Sequence, residues 1–406
     1  ATTIGTDLRR LKDQQRSLDY LKFSGDELGY IWADSAELTA SYQRWDEDGD
    51  RIKSNGERIL DGFDSRMWGL DVQLGRTLTL DWLGALNDEQ SVALSYGADF
   101  YRDDVDSART DYSLDGRVDE VKVQGPVGDD SRFDQWGAYL QAELPVGHRW
   151  LITAGSRYSR VSASVGAYED PSSGLASSFS DDWSSVVNSL RASFDFSDET
   201  STERHIWAAV SQSFRAPNIA DLSRFGKSRS SETEVAATEL DPEKFLTVEL
   251  GLKRSGRHLD YTASVYYTRI EDFIASTPTG RTVDGLTEVS KKNAGSGFVR
   301  GVELTGDYWL NAQWRMSGNL TWLEGELSAY LVSGDETLTP AVLTDEPMSR
   351  IMPLTTSLAL HWADGDRWAQ LQWRAQAKAD ELSSGDKADT QRIPPGGTPS
   401  YQLLNL

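Results

Sequence analysis

An acidic run in the N-terminal part has a spacing at which carboxylates can bind a metal ion. Positions 1, 3, 5 and 12 of a calcium-loop spacing are occupied by Asp46, Asp48, Asp50 and Glu57. Position six, where such a loop needs glycine for a sharp turn, is Arg51, and no flanking helices are indicated. Two interpretations stay open, a calcium site and a solvated acidic loop.

A second group of chemically useful side chains lies between positions 215 and 245. Its cations come first and its carboxylates follow, in the order Arg215, Arg224, Lys227, Arg229, Glu232, Glu234, Glu239 and Asp241. Arginine and lysine can hold an anionic ligand through charge-assisted hydrogen bonds. Alternatively, the two halves of the segment pair with each other, since surface charges are usually solvated or locally paired.

The composition excludes several classes of protein. The chain has no HExxH, GxSxG or P-loop motif, and it has no cysteine for thiol catalysis, disulfides or zinc binding. Its 41 Lys plus Arg against 64 Asp plus Glu give a net charge of −23, which disfavours contact with nucleic-acid phosphates. We therefore expect no catalytic residue, no cofactor and no nucleic-acid partner.

The elements that position these side chains are indicated by an apolar residue at every second position. Between 66 and 82 the even-numbered apolar residues are Trp68, Leu70, Val72, Leu74, Leu78, Leu80 and Trp82, whereas Asp71, Gln73 and Asp81 are odd-numbered. A strand places these two sets on opposite faces, and a helix would scatter them. The pattern recurs and predicts about fifteen strands from near Ser17 to Leu406. Only Leu8, Leu11 and Leu18 indicate a helical turn or two.

Short and long connections alternate between these strands. The long polar segments are 46–64, 102–133, 159–185, 215–245, 271–297, 324–352 and 379–399, with a tight turn between each successive pair. In an up-and-down barrel this alternation places all tight turns at one rim, and aromatic residues gather at the strand ends as in interfacial girdles. We predict an all-β, transmembrane antiparallel up-and-down β-barrel whose even-numbered residues between 68 and 82 face lipid.

Motifs in the C-terminal half resemble those of the TonB-dependent receptors of bacterial outer membranes. The FRAP box of that family is similar to Phe214-Arg215-Ala216-Pro217-Asn218, and its NPNL box to Leu240-Asp241-Pro242-Glu243. Further matches follow in the same order, among them Asn293-Ala294-Gly295 and Arg300-Gly301-Val302-Glu303-Leu304. Residues 1–213 match in architecture only.

The resemblance implies a monomeric barrel of 22 strands around an N-terminal plug domain. It also implies uptake of an iron complex such as a siderophore or haem, energised by the TonB-ExbB-ExbD complex acting through the plug. The partners are then outer-membrane lipid, this complex and a small iron chelate or haem. No plug-like segment is indicated before Ser17, so we interpret residues 1–406 as a partial barrel domain that lacks the plug and the last strands.

The positions of the four histidines bear on which ligand the protein binds. His148, His258 and His361 lie in or beside tight turns and His205 begins a strand at the same rim. Haem receptors of the family carry a histidine between the two boxes, and residues 218–239 contain none. The other potential haem ligands on the opposite rim are Tyr112, Tyr168, Tyr330 and Met348. We therefore expect an anionic ferric chelate, bound by Arg215, Arg224, Lys227 and Arg229.

Two other classes stay open. One is a plug-less porin-like or structural barrel, which an upstream plug would exclude. The other is a soluble all-β glycan-binding protein, suggested by the 14 Trp and 15 Tyr residues. That class needs aromatics clustered on one sheet face, whereas here they spread along the outward rows.

Overall fold

The computed structural model describes residues 7–79, 91–197, 202–229, 231–293, 295–330, 343–390 and 392–406. The predicted positions 80–82, the tight turn at 84–90, Ala294 and the side chains of Arg229 and Tyr330 lie outside this description. Nearly all described elements are strands: β1 (Arg9–Gly25), β2 (Ser35–Ile52), β3 (Arg58–Thr79), β4 (Ser91–Tyr112), β5 (Val118–Val121), β6 (Asp129–Val146), β7 (Trp150–Glu169), β8 (Ala176–Asp195), β9 (Glu203–Arg215), α1 (Ile219–Ser223), β10 (Gly226–Arg229), β11 (Glu232–Val235), β12 (Glu243–Ser255), β13 (Leu259–Glu271), β14 (Ile274–Val283), β15 (Leu286–Asn293), β16 (Gly297–Trp309), β17 (Trp314–Tyr330), β18 (Leu343–Pro347), β19 (Thr355–Asp364), β20 (Arg367–Gln376), α2 (Ser384–Ala388) and β21 (Tyr401–Asn405).

One large sheet forms the wall of the molecule. It has 17 strands, and without the short β5 and β18, which extend the pairing of β4 and β17, fifteen strands pair in an up-and-down ladder. All these pairings are antiparallel. Within the described residues, β1 pairs only with β2 and β21 only with β20, so the sheet is open. The predicted fold class and strand number are confirmed.

The two faces of this wall differ in polarity. On β3, Trp68 and Leu70 are 57% and 46% exposed on one face, which we call the outer face. Gln73 lies on the opposite, inner face, where its side-chain oxygen accepts a hydrogen bond from the Tyr139 hydroxyl at 3.3 Å. The pairing register aligns Leu70 with Phe100 and Phe100 with Trp136, so the apolar rows continue from strand to strand. The predicted separation of the apolar and polar sets is observed for residues 68–79.

Several segments expected to be long loops are instead strands. β2 and β3 leave only residues 53–57 between them, and β7 and β8 leave only 170–175. β1 begins at Arg9, so the helical turns suggested by Leu8, Leu11 and Leu18 are wrong. These extensions are polar, and cross-strand bonds such as the pair of Arg58 Nη2 with Asp50 Oδ2 at 2.9 Å satisfy them. Apolar periodicity cannot detect a strand that is polar on both faces.

The long connections carry smaller elements at one rim. β10, β11, β15 and β14 form a separate four-stranded sheet, in which β11 and β15 run parallel. The segment 216–242 folds onto the inner face of the wall, where Leu222 and Leu240 join Val165 and Trp183 in a buried apolar cluster. Among the residues that the structure describes, neither helix is long or apolar enough to cross a membrane.

Candidate ligand-binding site

The first sequence motif forms a capped turn of helix. Pro217 is fully buried, and Asn218 caps α1 by accepting a hydrogen bond from the backbone N–H of Asp221 at 2.8 Å. The carboxylate of Asp221 in turn accepts from the backbone N–H of Asn218 at 3.2 Å. This reciprocal capping box satisfies donors that a short helix would leave free. Leu222 and Ala216 then pack into the apolar cluster on the wall.

Arg215 connects the first motif to the second. Its Nε donates to Glu243 Oε2 and its Nη1 to Asp221 Oδ2, both at 2.6 Å. Glu243 is only 3% exposed, and its other oxygen accepts from the backbone N–H of Ile274 at 2.8 Å. The hydrogen bond to Glu243 raises the pKa of the Arg215 guanidinium, and the pair with Asp221 acts in the same direction. Arg215 therefore uses two of its donors within the protein, and its side chain does not line the cavity described below.

The second motif is held by residues from two other elements, β8 and β15. Trp183 Nε1 donates to the carbonyl oxygen of Leu240 at 3.0 Å. Asn293 both accepts from the backbone N–H of Asp241 and donates to its carbonyl, each at 2.8 Å. Pro242 lies between these anchors and Glu243. The two motifs thus fasten the segment between them to the wall.

Sequence reasoning missed a further anchor. Buried Gln124 donates to the carbonyl of Ser223 at 2.6 Å, and the Ser223 hydroxyl accepts from the backbone N–H of Gly128 at 2.8 Å. Neither residue stands in a recognisable pattern, because the contact joins positions 99 and 95 residues apart.

The fastened segment and the wall enclose a cavity of about 590 Å³, which we call the rim cavity. Its wall side is formed by β1 to β4 and β6, and its lid side by residues 218–227. Apolar walls come from Trp45, Ile59, Phe63, Val105, Phe133 and Ile219. Six cations line it, namely Arg10, Lys12, Arg51, Arg109, Arg224 and Lys227, and so do four carboxylates, Glu47, Asp50, Asp61 and Asp103. A cavity that combines apolar walls with convergent polar and charged groups is the usual form of a small-ligand site.

Four of these six cations have acidic partners. Lys12 pairs with Glu47, Arg51 with Asp7 at 2.8 Å, Arg109 with Asp111 at 2.8 Å, and Arg224 with Glu234 at a looser 3.5 Å. Within the described part of the chain, the side chains of Arg10 and Lys227 form no hydrogen bond and no ion pair. These two side chains are accessible to solvent and therefore free to bind an anion.

The surroundings of Lys227 are strongly cationic. Partial burial lowers the pKa of its ammonium group, and the nearby charge of Arg51 lowers it further; Asp7 opposes this shift, and the charges of Arg10 and Arg392 add to it. Arg392 approaches from the connection between β20 and β21, where its Nη2 donates to the carbonyl of Ser228 at 3.0 Å. Four cationic side chains from four parts of the chain thus lie near one another, and two of them, Arg51 and Arg392, are paired with Asp7 and Asp389.

The structure separates the four cations proposed from sequence. Lys227 and Arg224 line the rim cavity, Arg215 lies in the ion pair between the motifs, and the side chain of Arg229 is outside the described part. Pairing between the halves of the segment, the alternative interpretation, applies to Arg215 and Arg224.

The four acidic residues with calcium-loop spacing do not form a loop. Asp46, Asp48 and Asp50 lie on β2, so both earlier interpretations, which assumed a loop, are wrong on this point. Asp46 pairs with Arg44 at 2.7 Å, and Glu57 pairs with Lys53 at 3.0 Å at the tip of the hairpin. No group of three or more acidic or histidine side chains arranged to hold a metal ion occurs in the described residues.

The potential haem ligands are scattered. Tyr168 is 6% exposed and packs edge-on against Phe179, while Tyr112 lies under the guanidinium of Arg58. Met348 lines a different cavity, of about 630 Å³, and the side chain of Tyr330 is outside the description. The histidines lie at the tight-turn rim as predicted, with His148 and His258 in the turns after β6 and β12.

Comparison with known proteins bears on the whole chain. Residues 2–406 match the family described as TonB dependent receptor-like, beta-barrel. Among solved structures, the copper transporter OprC superposes with a TM-score of 0.74 at 18% identity, covering 97% of this chain and 57% of its own. The siderophore receptor PiuA from Acinetobacter baumannii gives 0.71 at 15% identity, covering 98% of this chain and 58% of its own.

The Serratia marcescens hemophore receptor HasR, solved with its hemophore and heme, gives a TM-score of 0.68 at 14% identity, covering 97% of this chain and 60% of its own. The chain thus spans less than two thirds of the length of these proteins. At such identities the likeness concerns the fold. A comparison with curated proteins gives no significant match.

Proposed function

Because the chain belongs to the TonB-dependent receptor-like β-barrel family, we propose that it is the barrel part of an outer-membrane receptor for an anionic ferric chelate. Members of this family reside in the outer membrane of Gram-negative bacteria and act as transporters and receptors. The contact with the TonB-ExbB-ExbD complex is proposed on the family resemblance, through the plug domain typical of these receptors.

The observation that carries the choice of ligand is the charge of the rim cavity. Arg10 and Lys227 line it without an acidic partner among the described residues, although the chain as a whole carries a net charge of −23. Cations left unpaired in an acidic protein, beside apolar walls, suit a ligand that combines aromatic rings with negative charge. A ferric tris-catecholate has this chemistry.

We expect the variants Arg10→Gln and Lys227→Gln each to bind ferric tris-catecholate about tenfold more weakly, because each removes one charge-assisted hydrogen bond. Binding is measured by fluorescence quenching of the full-length receptor in detergent. Arg117→Gln, in an 86% exposed side chain at the tip of the β4–β5 hairpin, serves as the matched control and should bind normally.

A neutral ferric trihydroxamate and haem provide the two comparison ligands. We expect the trihydroxamate to bind equally weakly to all the proteins and haem to give no sharp Soret shift. Equal losses for the charged and neutral chelates would show that the cavity does not select for charge. Haem binding that one tyrosine substitution abolishes would replace this proposal by a haem receptor.

The lowered pKa of Lys227 predicts a pH dependence. The ammonium is charged at neutral pH and loses its proton, as pH rises, earlier than an ordinary lysine with a pKa of 10.5. Affinity for the anionic chelate should therefore fall as the pH passes through this lowered value, and Lys227→Arg should remove that fall because arginine stays charged. The test is a titration between neutral and alkaline pH, and identical profiles for both proteins would refute the assignment.

A further inference from the structure

The short strand that carries Lys227 contains a β-bulge. In the pairing of β10 with β11, Lys227 lies opposite Thr233 and Arg229 lies opposite Glu232, so Ser228 has no partner residue in the register. A bulge takes backbone groups out of the ladder and redirects the side chains beside it. The carbonyl oxygen of Ser228 is therefore free to accept a hydrogen bond from outside the two strands.

The donor to this carbonyl is Arg392, from the connection between β20 and β21. Its Nη2 donates to the oxygen of Ser228 at 3.0 Å, across 164 positions of the sequence. Arg392 itself does not line the rim cavity, whereas Lys227 does. The guanidinium thus holds the backbone next to a cavity-lining cation without being a ligand contact of its own.

A buried carboxylate fixes the Arg392 side chain. Asp389 is 0% exposed, and its Oδ2 pairs with Arg392 Nε at 3.3 Å and with Arg350 Nη2 at 3.4 Å. The carbonyl oxygen of Asp389 accepts from the backbone N–H groups of Arg392 at 3.0 Å and Ile393 at 2.9 Å. Because a guanidinium carries its donors in a planar fork, Nε and Nη2 can serve two acceptors at once. A hydrogen-bonded turn and a buried anion therefore present this fork to β10.

The position of Lys227 needs such a support because the other anchors of its segment are remote from it in the sequence. The two motifs hold the segment 216–242 at its ends, and Lys227 lies between them on β10. A lysine side chain is flexible, and ordering it when a ligand binds reduces the affinity. A backbone that is already fixed beside the lysine removes part of this cost before the ligand arrives.

We propose that Arg392 is a positioning residue, which holds the bulge at Ser228 and so keeps Lys227 in place for the anionic ligand of the rim cavity. The inference rests on the proposed function, since its consequence for affinity requires that the cavity binds the chelate. The contact between Arg392 and β10 can be measured without any ligand.

Hydrogen exchange of the full-length receptor in detergent tests this contact. In Arg392→Met the backbone amides of residues 226–229 should exchange about tenfold faster, because a charged donor to the bulge is lost. Lys378→Met is the matched control, since it removes a 53% exposed cation of the same connection that pairs with Asp380 at 3.2 Å, and it should leave these amides unchanged. Heat-modifiable mobility confirms that each variant is folded. Unchanged exchange of β10 in Arg392→Met would overturn the proposal.

A double-mutant cycle with ferric tris-catecholate tests the consequence for binding. Arg392→Met should weaken binding about fivefold, whereas the same change in the Lys227→Gln background should cost less than about twofold, because its effect passes through Lys227. Equal losses in the two backgrounds would overturn the positioning role, since Arg392 would then act through its own charge or through the cavity as a whole.

The two measurements distinguish the possible failures. A chelate that does not bind the unaltered receptor would refute the proposed function, and with it the role of Arg392 in binding, even if exchange of β10 is faster in Arg392→Met. Normal binding by the unaltered receptor with no change of exchange in Arg392→Met would refute the positioning role and leave the proposed function standing.

Discussion

Replacing Arg215 by methionine should destabilise the fastened segment 216–242 by about 3 kcal/mol. The substitution leaves Glu243, which is 3% exposed, as a buried charge with the N–H of Ile274 as its remaining donor, and it also frees Asp221. We choose the lower end of the range for broken buried ion pairs because the Arg215 side chain is itself 40% exposed.

Hydrogen exchange of two amides measures this opening directly. The N–H of Leu222 bonds to Asn218 at 3.0 Å and that of Ala237 to Leu222 at 2.8 Å, so both exchange only when the segment opens. Arg215→Met/Glu243→Gln should lose less than Arg215→Met alone, since residue 243 is then no longer an unpaired buried charge. Arg300→Met breaks an exposed pair with Glu324 and should not alter either amide. A double variant as unstable as the single one would show that packing, and not charge, holds the segment.

Replacing Leu74 by arginine should cost roughly 2 to 4 kcal/mol of unfolding free energy in a bilayer, because a charged side chain on the lipid face must leave water near the midplane. Leu74 lies on the outer face of β3, about halfway between Trp68 and Thr79, and pairs with Tyr96 in the register. The measurement is reversible denaturant unfolding of the full-length receptor in phospholipid vesicles.

The adjacent inner-face residue provides the control. Gln73 is exposed on the inner face and contacts only the Tyr139 hydroxyl at 3.3 Å, so Gln73→Arg should cost less than about 1 kcal/mol. Similar losses of unfolding free energy at both positions would show that the two faces of β3 share one environment, and would contradict the assignment of the outer face to lipid.

The structure gives the first motif a different role from the one that the sequence indicated. Its arginine was a candidate ligand contact in the sequence, yet the structure uses it to join the two motifs and to close the lid of the rim cavity. Among the described residues that line the rim cavity, the cations left without an acidic partner are Arg10, on the first strand, and Lys227, in the segment between the motifs. In the proposed site, the motifs hold the segment in place, and residues outside the motifs carry the unpaired positive charge.

The sequence alone determined the wall and its two faces. Side chains alternate along any strand, so the spacing of Trp68, Leu70 and Val72 is enough to indicate both a strand and its apolar side. The tight turns likewise predicted the single up-and-down sheet, because each of them forces its two strands to pair, although the segments 46–64 and 159–185, expected to be long loops, are mostly strand. Apolar alternation did not predict the polar extensions of β2 and β3, because these are stabilised by pairing between the two strands and not by an apolar face.

Only the tertiary structure decided which charges are free. Arg10 and Lys227 belong to distant parts of the chain and meet because the segment after β9 folds back onto the inner face. Whether a cation pairs with a carboxylate depends on that fold. Arg215 and Lys227 lie close together in the sequence, yet Arg215 forms an ion pair with Glu243 and Lys227 has no such partner among the described residues. An amino-acid type sets the charge that a side chain can carry, but its partners are set by long-range packing, which no local spacing records.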